Sequence, residues 1–134
     1  MTRARQMFEA YPKEINVDVS LLTRTIEALE DCASTCTQCA DFCLSEDVIT
    51  SLVKCIGLNL DCADVCGTTS RVICRQTGYD AKATRPLLEA CIAACRSCGD
   101  ECDHHAEHLA HCRVCAESCR QCEEACRELL AAMT

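Results

Sequence analysis

Residues 91–102 read CIAACRSCGDEC and residues 32–43 read CASTCTQCADFC, the same Cys-x-x-x-Cys-x-x-Cys-x-x-x-Cys spacing twice in one chain. Steps of four, three and four suit one face of an α-helix. At about 100° per residue, the four cysteines of each stretch fall within an arc of roughly 60°. A third ladder, Cys112, Cys115, Cys119, Cys122 and Cys126, continues the same alternation, and a fourth segment carries Cys55, Cys62 and Cys66. Cysteine therefore stands where a helical bundle would place leucine.

Working outward, breaks at 44–47, at 77–86 and within 103–107 divide the chain into four helical segments, about 18–44, 47–76, 85–103 and 107–132. Asn16 or Asp18 is placed as the first N-cap, Gly78 as a C′ residue, and Thr84 with Pro86 as the opening of the third helix. A further short helix is expected near 2–11, ending at Pro12. The fold class is all-α: an antiparallel up-down four-helix bundle with a short N-terminal helix. Residues 1–17 are read as an N-terminal extension and 18–134 as the cysteine-lined bundle.

Two positions depart from the pattern. Asn59 takes a stripe position where the first helix would have a cysteine. Cys74 lies about 100° off the Cys55–Cys66 line and is placed in a seam, with a weaker claim as a ligand.

Composition narrows the partners. The 134 residues carry 17 cysteines, 13 Lys+Arg against 21 Asp+Glu, and a net charge of −8. That charge argues against nucleic acid and anionic membranes, and two Phe, two Tyr and no Trp leave little for base stacking. No apolar run reaches the ~18 residues of a membrane span. The N-terminus lacks the apolar stretch of a signal peptide, and Arg3 and Arg5 are not adjacent as a twin-arginine signal requires. The expected compartment is the cytosol, where thiols stay reduced.

Three uses of inward thiols compete. As packing, each Leu replaced by Cys gives up about 1–2 kcal/mol of apolar burial, at ~0.8 per methylene; packing alone does not explain so many. As disulfides, i,i+4 neighbours have nearly parallel Cβ vectors and suit a bridge poorly, and bridges between helices, which the geometry allows, are disfavoured by a reducing cytosol. Metal ligation remains. Zinc sites usually close four ligands drawn from loops, whereas these pairs interleave inside continuous helices. Buried thiols must be neutral when empty and release protons on loading. One Cu(I) per thiolate replaces one H⁺ and leaves the lumen near neutral, while each Zn(Cys)₄ site would bury a charge of −2. Soft monovalent copper fits best.

The candidate ligands are Cys32, Cys36, Cys39, Cys43, Cys55, Cys62, Cys66, Cys74, Cys91, Cys95, Cys98, Cys102, Cys112, Cys115, Cys119, Cys122 and Cys126, with His104, His105, His108 and His111. Up-down topology gathers the four histidines at one end. His105 and His108 are read as pointing inward, His104 and His111 as rim residues. Leu21, Leu22, Ile26, Leu29, Ile73, Leu87, Leu88, Leu129 and Leu130 gather at the other end as an apolar plug. Ions are expected to pass inward from the histidine mouth.

On its two Cys-x-x-x-Cys-x-x-Cys-x-x-x-Cys runs, the ladder 112–126 and the histidine-rich mouth, the sequence over residues 18–132 resembles the cytosolic copper storage proteins. That resemblance implies a homotetramer of bundles, many Cu(I) ions along each core, a bacterial cytosolic location and no catalysis. Copper would arrive from a copper chaperone or from small thiols. The alternatives are a metal-responsive regulator, disfavoured by the acidic charge and missing DNA-reading element, and a Zn/Cd buffer of metallothionein type.

Overall fold

The computed structural model describes residues 2–133, and among them every regular element is helical. A short α1 (Ala4–Glu9) precedes four long helices: α2 (Val19–Leu44), α3 (Val53–Cys74), α4 (Ala81–Asp103) and α5 (Ala110–Ala132). Around the bundle α2 packs on α3 and α5, and α4 on the same two, so the four helices close a square about one axis. α2 is about 39 Å long at 1.5 Å per residue. No described helix is long and apolar enough to cross a membrane.

The helices begin where side chains satisfy their first N–H groups. Asp18 accepts from the Ser20 N–H at 2.8 Å and opens α2. Asp80 does the same for Lys82 at 3.0 Å, so α4 starts four residues before the expected position. Thr84 is accordingly no cap but is buried inside the first turns. Pro86 lies within the helix on its exposed side, where it cannot donate to the carbonyl four residues back. Gly78 adopts φ +70°, yet it sits in the α3–α4 turn beyond the end of α3 rather than at the C′ position. The second long helix begins at Val53, after a 3₁₀ turn over Ile49–Ser51, because the chain spends residues 45–52 reversing direction.

The core has two compositions. Leu22, Ile26, Leu29, Ile73, Leu88 and Leu129 are buried at the α3–α4 end, with Leu21, Leu87 and Leu130 half-buried around them. This is the expected apolar plug. From there to the other end the interior is mainly cysteine, with Asn59 and Leu52 also fully buried. The short α1 packs along α2: Phe8 is buried, the Arg5 guanidinium donates to Ser20 Oγ at 2.8 Å, and the Thr2 N–H donates to Glu27 at 3.3 Å.

Candidate metal centre

Sixteen of the seventeen cysteines are buried, and all are free thiols. Helical periodicity sends each stripe to the axis, and the square packing brings the four stripes together. Sulfur–sulfur separations run from 3.7 Å (Cys32–Cys36, Cys66–Cys91, Cys36–Cys115) to 4.0 Å (Cys32–Cys62). A disulfide needs about 2.05 Å, so these are contacts between thiols. Most of the close pairs join different helices.

From the plug upward, the deepest sulfurs are Cys126, Cys91, Cys66, Cys95 and Cys122, linked by contacts such as Cys66–Cys95 at 3.7 Å and Cys66–Cys122 at 3.8 Å. Thr25 and Thr69 lie one turn below, fully buried, with hydroxyls donating to the Leu21 and Val65 carbonyls at 2.8 and 2.7 Å. Cys32, Cys66, Cys95 and Cys122, one from each long helix, have mutually close sulfurs. So do Cys32, Cys36, Cys62 and Cys119, and again Cys36, Cys98, Cys115 and Cys119. Such spacings match the ~3.8 Å edge of a tetrahedron with ~2.3 Å metal–sulfur bonds. The groups overlap, however. Cys32, Cys36 and Cys119 each belong to two of them, so they cannot all be separate closed zinc sites. Shared sulfurs suit bridging thiolates and a chain of soft monovalent ions.

Asn59 crosses the column in the upper half. It is fully buried. Its Oδ1 accepts from the Cys98, Cys115 and Cys102 thiols at 2.9, 3.3 and 3.5 Å, and its Nδ2 donates to Cys55 at 3.6 Å. One amide thus satisfies four thiols where the stripe lacks a cysteine.

At the mouth, Cys39, Cys43, Cys112 and His111 form the uppermost group. His111 Nδ1 lies 3.3 Å from Cys39 Sγ and 3.7 Å from Cys112 Sγ, and its Nε2 lies 2.8 Å from Glu46. His105 Nε2 lies 3.0 Å from Glu101 on the preceding turn, and Glu101 also faces Lys54 and His104, each at 3.8 Å.

The structure exchanges the expected roles of His108 and His111, while His104 stands at the rim as expected. His111 reaches inward, while His108 and His104 are exposed. Residues 104–109 form turns rather than helix, so the stripe of α4 cannot be extended through them. Cys74 is exposed at the end of α3 and does not join the column, because it sits about one residue-step around the helix from the inward line. Sequence reasoning missed Glu46 and Glu101. Their one signal was an acidic residue beside each break at the histidine end.

Burial works against the thiolate at every cysteine of the column, while hydrogen bonds between thiols raise some further and lower Cys32, Cys55, Cys62, Cys91, Cys112 and Cys115. Burial, with Cys112 and Cys55 adjacent, pushes the Cys43 thiol up to about 12 from its ordinary 9.0. Neighbouring thiols, Cys115 foremost, together with burial push Cys36 up. The same holds for Cys102, where Cys112 leads, and for Cys95 and Cys122, led by Cys122 and Cys126 respectively. Metal loading must displace protons from these groups.

A four-helix bundle whose axis is a continuous, closed-bottomed column of free thiols defines a class: proteins that hold several soft metal ions in a helical core. The family model for copper storage protein matches residues 18–131, and the chain belongs to that family. It superposes with a TM-score of 0.95 on the copper storage protein Ccsp from Streptomyces lividans loaded with 10 copper equivalents, at 50% identity over 97% of this chain and 99% of that one. Cu(I)-bound BsCsp3 is 34% identical, covering 82% of this chain and 98% of its own, with a TM-score of 0.72. The uncharacterized cysteine-rich protein YhjQ of Bacillus subtilis is 37% identical over 69% of this chain and 81% of its own length.

Proposed function

We propose that this chain takes up Cu(I) at the His111 end and stores it along the sulfur column, with the sixteen buried cysteines and His111 as ligands and no catalytic step. Cys74, His104 and His108 stand outside that ligand set, and His105 borders it. The observation that carries the reading is the overlap of the four-sulfur groups, which makes one shared reservoir. The column ends at the apolar plug, so filling and emptying use the mouth. A cytosolic location follows the Streptomyces lividans relative, a cytosolic copper storage protein 54% identical over 86% of this chain. It also suits free thiols, and a copper chaperone or small thiols would be the donors. The homotetramer implied by family resemblance is part of this reading.

The test is an anaerobic Cu(I) titration of the reduced protein against a chromogenic chelator, with a parallel Zn(II) arm. Storage predicts saturation at on the order of ten or more Cu(I) per chain, with zinc saturating at about four or fewer. One or two Cu(I) per chain would overturn it in favour of a regulator, and zinc binding in preference to copper would favour a Zn/Cd buffer.

A further inference from the structure

His111 is gripped from two sides. Glu46, in the turn after α2, meets Nε2 at 2.8 Å, and the Phe42 ring stands edge-on to the imidazole, with centroids 5.9 Å apart at 85°. The third side of the ring faces sulfur: Nδ1 is 3.3 Å from Cys39 and 3.7 Å from Cys112. A carboxylate can only accept, so the contact with Glu46 requires the proton to be on Nε2. In the neutral imidazole that leaves the Nδ1 lone pair facing the thiols. Without Glu46 only the weak Cys39 and Cys112 thiol donors favour that tautomer, and a proton on Nδ1 would close off the one nitrogen among the uppermost sulfurs.

We propose that Glu46 is a positioning residue for metal uptake: it holds His111 in the Nε2–H tautomer and aims Nδ1 at Cys39 and Cys112, giving an incoming soft cation a ready mixed nitrogen–sulfur site at the mouth. Carboxylates that accept from the far nitrogen of a ligating histidine commonly play this part. Glu46 also ties a loop to α5 across the opening, so ring and loop share one orientation. His105 lacks this arrangement, because its partner Glu101 lies only four residues back, in the last turn of α4, and is shared with Lys54 and His104. The inference rests on the storage reading for its purpose, but the tautomer can be measured without copper.

The experiment compares the ¹⁵N-labelled, reduced, copper-free chain with Glu46→Gln and Glu46→Ala. Two-bond ¹H–¹⁵N imidazole spectra are recorded above the ordinary histidine range of ~6.5. The unaltered chain should show His111 as the Nε2–H tautomer. Glu46→Ala should weaken that preference, and Glu46→Gln less so because its amide oxygen can still accept, while His105 keeps its signals. Initial Cu(I) uptake from a chelator complex should slow on the order of tenfold in the variants, with the final number of ions unchanged. A proton on Nδ1 in the unaltered chain, or an uptake rate unchanged in both variants, would overturn the assignment. Failure of the storage reading would show separately, as a low end-point for the unaltered chain.

Discussion

Asn59 shows what a single side chain does inside a lumen of sulfur. Its carbonyl oxygen accepts from three thiols, and no water reaches it. Asn59→Ala removes those bonds and leaves a void, so it should destabilise the reduced, copper-free protein by about 1–3 kcal/mol in urea unfolding. Cys74 is the opposite case. Being exposed and apart from the column, it should be dispensable: Cys74→Ser should leave the end-point of Cu(I) titration unchanged. Cys36→Ser, by contrast, should lower it, because that sulfur belongs to two four-sulfur groups.

Among the elements, the caps set where the cysteine stripes begin. Asp80 holds the first turn of α4 through Lys82, ahead of a proline that would otherwise weaken it. Asp80→Ala should cost about 1 kcal/mol, read as a fall of about 4 °C in the melting temperature of the copper-free protein. The stripes themselves were legible in the sequence because helical period is a local property. Helix starts were less so. Thr84 and Asp80 are both acceptable caps, and Thr84 stands beside Pro86, which suits a first turn; only the packing of the first turns of α4, which buries Thr84, selects Asp80. His108 and His111 were misassigned for a related reason. A turn of irregular backbone between α4 and α5 breaks the phase on which the extrapolation rested.

Taken as a whole, the molecule stacks its thiols where burial opposes charge on each of them. The sign of the resulting pH dependence follows from Cys43, raised from 9.0 to about 12 when folded. Below pH 9 the thiol is neutral in both states and costs nothing. Between about 9 and 12 the unfolded chain releases its proton and the folded one retains it, so stability falls as pH rises. Other raised thiols, among them Cys36, Cys95, Cys102 and Cys122, act in the same direction. Cys32, Cys55, Cys62, Cys91, Cys112 and Cys115, lowered by hydrogen bonds from neighbouring thiols, act against it, and the burial common to all sixteen sets the net sign. Thermal unfolding of the reduced, copper-free protein should therefore show a melting temperature that drops above about pH 9. The Cu(I)-loaded protein, its sulfurs already deprotonated and bound, should melt higher and lose that dependence.

The sequence by itself determined that four helices each carry an inward line of thiols, that one end is apolar and the other rich in histidine, and that soft metal suits such a lining. These follow from composition and from a period of 3.6, which neighbouring residues set among themselves. Only the tertiary structure decided which sulfurs meet. Contacts such as Cys66–Cys122 and Cys36–Cys98 depend on the axial rotation and vertical offset of whole helices, which packing at the plug and along the seams fixes. It also decided that Asn59 bridges four thiols and that Glu46 reaches His111 across the mouth. Apart from Cys55, one turn away from Asn59 on α3, those partners lie tens of residues apart, and no local spacing rule connects them.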